Sequence, residues 1–106
     1  MQGSASEQRI AFRRTGNPVE VTIRQSSGGP ELARGLVINR STGGLCLALD
    51  EMVAEGTILE VRASSAPRMT PWTEVEVRSC RRKKNGWEAG CKFIRTPPWS
   101  ILLMFG

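Results

Sequence analysis

From Val19 the chain alternates: Val19, Val21 and Ile23 are apolar, and Glu20, Thr22 and Arg24 are polar. Strand side chains point to opposite faces in turn, so this pattern predicts a half-buried strand. Ser26-Ser27-Gly28-Gly29-Pro30 ends it. Leu32 to Ile38 predicts a second strand, and the polar, glycine-rich stretch Asn39 to Gly44 predicts its connection to a third. There Leu45, Leu47 and Leu49 alternate with Cys46 and Ala48. Glu55-Gly56 marks a turn, Ile58 to Arg62 a fourth strand, and Ser64 to Pro71 a loop.

Trp72 to Arg82 and Trp87 to Ile94 flank Asn85-Gly86, a strong hairpin signal. A two-residue loop at Asn85-Gly86 sets Val77 opposite Ile94 and Cys80 opposite Cys91. A three-residue loop, Lys84-Asn85-Gly86, sets Val77 opposite Phe93 and Ser79 opposite Cys91, with Val75 on the same face. A slip of one residue exchanges the two faces of a strand, so the apolar pattern selects the second register. It makes Gly86 the left-handed residue of a bulge. It also points Cys80 and Cys91 to opposite faces, against a disulfide between them.

Six short strands at regular turn spacing predict an all-β fold, a six-stranded antiparallel barrel that is closed or nearly so. Residues 15–106 form the barrel domain in this reading. Residues 1–14, polar and basic, form a flexible N-terminal tail. After Pro97-Pro98, Trp99 to Phe105 is a short helix or apolar tail, with packing under the barrel as its plainer role.

Composition narrows the function. The 106 residues suffice for one modest core, with 40% hydrophobic and 24% charged residues. No apolar run approaches the ~20 residues that span a bilayer, and Met1 to Phe12 lacks a signal-peptide core, so a cytoplasmic location without membrane insertion is expected. Three cysteines without a CxxC pair read as small buried residues in a reducing compartment. There is no histidine or tyrosine, and Asp50 is the single aspartate. The commonest general base and metal ligand is thus missing, and Ser41 and Ser79 have no histidine to activate them. The expectation is a binding protein, without catalytic residues, metal or cofactor. A net charge of +5 favours an anionic partner.

Two segments exceed what barrel building needs. Arg9-Ile10-Ala11-Phe12-Arg13-Arg14 offers guanidinium forks, which donate paired hydrogen bonds to phosphates and to guanine O6 and N7. Taken alone it reads equally as a solvated basic run. Asn39-Arg40-Ser41-Thr42-Gly43-Gly44 places an amide and a hydroxyl on one face of an extended segment, followed by glycines that allow close backbone approach. Taken alone it reads as an ordinary polar turn.

Together they resemble the PilZ family, whose signature is RxxxR followed by [D/N]xSxxG. Arg9 and Arg13 match the first motif; Asn39, Ser41 and Gly44 match the second. Gly35-Leu36-Val37-Ile38 leads into the second motif as in family members, and Gly90-Cys91-Lys92-Phe93-Ile94 is similar to the family's closing strand. The resemblance runs from about Glu7 to Ile94. It implies a six-stranded barrel that binds the bacterial second messenger cyclic di-GMP. Arg9 and Arg13 would clamp phosphate and guanine, with Arg14 as an extra basic contact. Asn39 and Ser41 would bond a guanine, and Gly44 would keep the turn tight, with Gly43 beside it in the ligand-binding set. The N-terminal segment would change conformation on binding and signal to a protein partner. Gln8 stands where family members often carry a further arginine, which leaves ligand stoichiometry open.

Arg78, Arg81, Arg82, Lys83 and Lys84 read as a solvated hairpin tip, with Arg81 as a neighbour of the ligand edge. Two alternatives remain: a PilZ-like adaptor that does not bind the nucleotide, and a basic nucleic-acid-binding barrel. The latter requires exposed aromatics on its strands, and the candidates are Trp72, Trp87 and Trp99.

Overall fold

The computed structural model describes residues 18–25 and 31–106. Six strands follow in order: β1 (Val19–Gln25), β2 (Glu31–Arg40), β3 (Gly44–Leu49), β4 (Ile58–Ala63), β5 (Thr73–Lys83) and β6 (Gly86–Phe93). A helical turn, α1 (Trp99–Leu102), and a 3-10 turn at Leu103–Phe105 close the described chain. The strands form a closed barrel in the order β1-β2-β3-β6-β5-β4, every neighbouring pair antiparallel. Closure leaves no unpaired sheet edge.

The expected alternation sets the inside of the barrel. Val21, Ile23, Val37, Leu45, Leu47, Leu49, Leu59, Val61, Val75 and Val77 are all buried in one core. Leu102 and Phe105 join it at 2% exposure each, so the C-terminal turns pack onto the barrel, each side chain contributing about 1.5–3 kcal/mol by burial. No helix among the described residues is long and apolar enough to cross a membrane.

Three details depart from the simple alternation, and two of them are bulges. β2 runs on through Asn39 and Arg40, which pair with Cys46 and Leu45, so the connection to β3 shrinks to residues 41–43. The register of β2 on β3 shifts between Val37 and Asn39, making Ile38 an extra residue. Likewise the register of β5 on β6 shifts between Val77 and Ser79, making Arg78 extra. Such a bulge changes which residues share a face beyond it.

The hairpin therefore adopts neither expected register. Val77 faces Cys91 and Val75 faces Phe93. Beyond the bulge Ser79 faces Gly90, Cys80 faces Ala89 and Lys83 faces Gly86. The apolar face survives, with Val75, Val77, Cys91 and Phe93 all buried. Cys80 does not point away from Cys91: the bulge turns it to the face shared by Ala89 and Cys91, where it packs on the core. All three thiols are nevertheless free. Gly86 is a strand residue rather than part of a three-residue loop. Its φ of 149° lies where only glycine is comfortable.

Candidate functional site

The bulge at Ile38 sets up one side of the site. It brings Asn39 opposite Cys46, with both on the outer surface, and sends Arg40 toward the C-terminal turns. Arg40 Nε donates to the backbone oxygen of Gly106 at 2.8 Å, and its guanidinium carbon lies 6.0 Å from the Trp99 ring centre.

The short connection is held by its own polar groups. Asn39 Oδ1 accepts the Arg40 N–H at 2.8 Å. Ser41 Oγ accepts the Gly43 N–H at 3.1 Å. The Ser41 N–H donates to the Gly44 carbonyl at 3.0 Å, and the Phe93 N–H donates to the Gly43 carbonyl at 2.9 Å. Asn39 and Ser41 thus spend one acceptor each on the turn. The amide NH2 of Asn39 and the hydroxyl hydrogen of Ser41 are the groups left to offer a ligand.

Gly44 has a further role in the packing of two strands. Its backbone is not in the positive-φ region; it is buried, and a Cβ there would fall on the carbonyl oxygen of Cys91. It permits β3 to run against β6, while its carbonyl closes the turn by accepting the Ser41 N–H. Gly43 is exposed, and a Cβ there would find only Ser41 Oγ, at 3.8 Å.

These residues border an open cleft of about 310 Å³ on the outer face of β3, β6 and β5. Asn39, Ser41, Gly43 and Gly44 all line it, so four of the seven residues expected from the sequence meet in one place. The other three, Arg9, Arg13 and Arg14, lie outside the described residues. Arg40, Arg78 and Lys92 also line the cleft, and none of its lining residues among those described is acidic. Its surroundings therefore favour an anion.

Sequence reading missed Arg78 and Lys92. The available signal was the pairing of the closing strand with the motif strand, which sets Gly44 opposite Lys92 and Cys46 opposite Gly90. Arg81, expected at the ligand edge, instead pairs with Glu88 along the exposed hairpin and does not line the cleft.

The cleft has no reactive thiol. Burial, with the Glu88 carboxylate adding to it, holds the Cys46 thiol up at about 11. Burial holds that of Cys91 up at about 12, with Cys46 and Cys80 adding to the effect. At neutral pH both stay protonated, and a protonated thiol is a poor nucleophile. What remains is a donor-rich anion surface, suited to binding.

Two larger cavities lack this convergence. One, about 570 Å³ beside the hairpin, mixes Glu20, Asp50 and Glu88 with Arg34, Lys83 and Lys84. The other, about 540 Å³, is lined largely by apolar side chains such as Ile23, Met52 and Leu59, with Asp50 and Glu51 among them.

No curated protein matches the chain. The PilZ domain, a module that generally serves as a cyclic di-GMP receptor rather than a catalyst, matches over residues 7–101, a span that includes both the arginine segment and the cleft. With nearly its whole length covered, the chain belongs to the PilZ domain family.

Proposed function

We propose that this protein is a cyclic di-GMP receptor that acts by binding, without catalysing a reaction, in the cytoplasm. The observation that carries the reading is the convergence of Asn39, Ser41 and Gly44 on a cleft bordered, among the described residues, by basic and no acidic side chains. At about 310 Å³ that cleft is at the small end of ligand sites. Such a surface covers part of a dinucleotide and leaves the rest to another segment. Arg9, Arg13 and Arg14 fall within the family match, and they supply the charged forks that two phosphates and a guanine edge require. In this reading the ligand draws the arginine segment across the cleft, and a protein partner recognises the resulting surface.

The nucleic-acid reading loses support from the tryptophans. The guanidinium carbons of Arg24 and Arg62 lie 4.1 and 4.3 Å from the Trp72 ring centre. That of Arg82 lies 5.5 Å from the centre of Trp87. Both rings are half-buried with a guanidinium near the ring, and Trp99, 62% exposed, stands on α1 rather than on a strand.

Calorimetric titration with cyclic di-GMP, with GTP and single-stranded RNA as controls, tests the proposal. Saturable binding of the cyclic dinucleotide alone is expected, nearly abolished by Arg13→Ala. Preferential binding of RNA, or cyclic di-GMP binding unchanged by Arg13→Ala, contradicts it.

A further inference from the structure

Across the cleft from Asn39 and Ser41 stands a residue outside both motifs. Arg78 is the extra residue of the β5 bulge, with no partner position on β6. A bulge re-aims its side chain out of the regular ladder, and Arg78 borders the same cleft as the motif turn. Its side chain is 59% exposed, and its one ion partner among the described residues is Glu76, at 4.0 Å. So loose and exposed a pair holds the guanidinium only weakly. The floor between Arg78 and the turn is made of small residues, Gly44, Cys46 and Gly90. Gly90 lies between Cys46 and Ser79 in the two ladders and carries no side chain of its own, and the Ser79 hydroxyl stands 2.8 Å from where its Cβ would be. Lys92, next along β6, adds a point charge.

A flat floor with hydrogen-bonding groups on one side and a planar fork on the other suits a flat heterocycle with adjacent acceptors on one edge. Guanine O6 and N7 are such a pair, and arginine matches them with two parallel bonds. We propose that Arg78 is a ligand-contacting residue that recognises the guanine base of the nucleotide and sets the preference for guanine over adenine. This inference rests on the receptor reading above and assigns one more residue to that site.

The test compares wild type, Arg78→Ala, Arg78→Lys and Arg81→Ala by calorimetry, using cyclic di-GMP and cyclic di-AMP. Arg81 is a suitable control, because it lies on the same strand with the same charge but outside the cleft. Arg78→Ala and Arg78→Lys should both weaken cyclic di-GMP binding by about tenfold or more and narrow the gap between the two dinucleotides. Lysine keeps the charge but loses the fork, so it should not rescue. Arg81→Ala should stay within about twofold of wild type, in keeping with the small net effect of an exposed surface charge. Thermal melts, expected to match wild type for these exposed positions, separate lost contact from lost fold. Wild-type affinity and guanine preference in Arg78→Lys, or an equal loss in Arg81→Ala, overturns the inference while leaving the receptor intact. A wild-type protein that binds neither dinucleotide overturns the receptor reading and this inference with it.

Discussion

Two connections between neighbouring strands can be set side by side: residues 41–43, joining β2 to β3, and Lys84-Asn85, joining β5 to β6. The second carries the dense charge, with Arg81, Arg82, Lys83 and Lys84 all exposed. Yet Lys83 reaches Glu88 at 3.8 Å, Arg82 lies over Trp87, and the cavity beside the tip mixes both signs. The first connection has no charged residue of its own. It is nonetheless the one beside a cleft where Arg40, Arg78 and Lys92 arrive from three different strands. Charge density along the chain thus marks a solvated tip, and the site is marked by charges that the topology gathers.

The sharpest way to break this comparison is at the two adjacent glycines. A side chain at Gly44 meets the backbone of β6, which cannot rotate aside. Gly44→Val should cost about 3 kcal/mol or more. Gly43→Ala meets only a flexible hydroxyl at ordinary contact distance. Its cost should stay within about 0.5 kcal/mol. Urea midpoints with their slopes measure both. Equal costs at the two positions would show that the crossing of β3 on β6 does not depend on Gly44.

Smaller effects are expected from Asn39→Ala and Ser41→Ala. Each should weaken cyclic di-GMP about two- to tenfold, the worth of a neutral hydrogen bond of ~0.5–1.5 kcal/mol. Each also removes an acceptor from a turn N–H, at Arg40 and Gly43 respectively. Because both turn residues are exposed or half-exposed, water can replace the acceptor, and the stability loss should stay below ~1 kcal/mol. Melting and titration on the same samples separate the two roles. Unchanged affinity with a large loss of stability would make the motif a structural turn alone.

The smallest effect is at the buried thiols. Folding raises Cys91 from 9.0 to about 12 and Cys46 from 9.0 to about 11. The folded state holds these protons more tightly than the unfolded one. Their contribution to stability is therefore whole below about pH 9 and lost as pH rises through about 11 to 12. The difference in urea midpoint between wild type and Cys91→Ala should be constant from about pH 7 to 9 and shrink above that. A difference that stays flat up to about pH 11 would contradict the burial of this thiol.

Much of this was legible in the sequence, and what escaped has a definite reason. Alternation identified Val21, Ile23, Leu45, Leu47, Val75 and Val77 as inward residues, and six such segments sufficed for a barrel. The motif spacing marked Asn39, Ser41 and Gly44, and these do line one cleft. The bulges at Ile38 and Arg78 were not legible, because an extra residue in a strand leaves no compositional trace when it is itself β-tolerant or long and polar. From the second bulge follow the wrong face for Cys80 and the missed place of Arg78. The role of Gly44 was hidden for a related reason: a glycine needed for contact with β6, remote in sequence, looks the same as one needed for a local turn.

The central claim, that cyclic di-GMP binds over the Asn39–Gly44 turn, is tested most directly by following backbone amide resonances during titration. The account predicts the largest shifts at Asn39, Arg40, Ser41, Gly43 and Gly44, with Arg78, Gly90 and Lys92 responding across the cleft. Lys83, Lys84 and Asn85 at the tip, and Met52 to Ala54 at the other cavity, should stay in place. Shifts concentrated at the tip with Asn39 to Gly44 unmoved, or no shifts at saturating ligand, would contradict it.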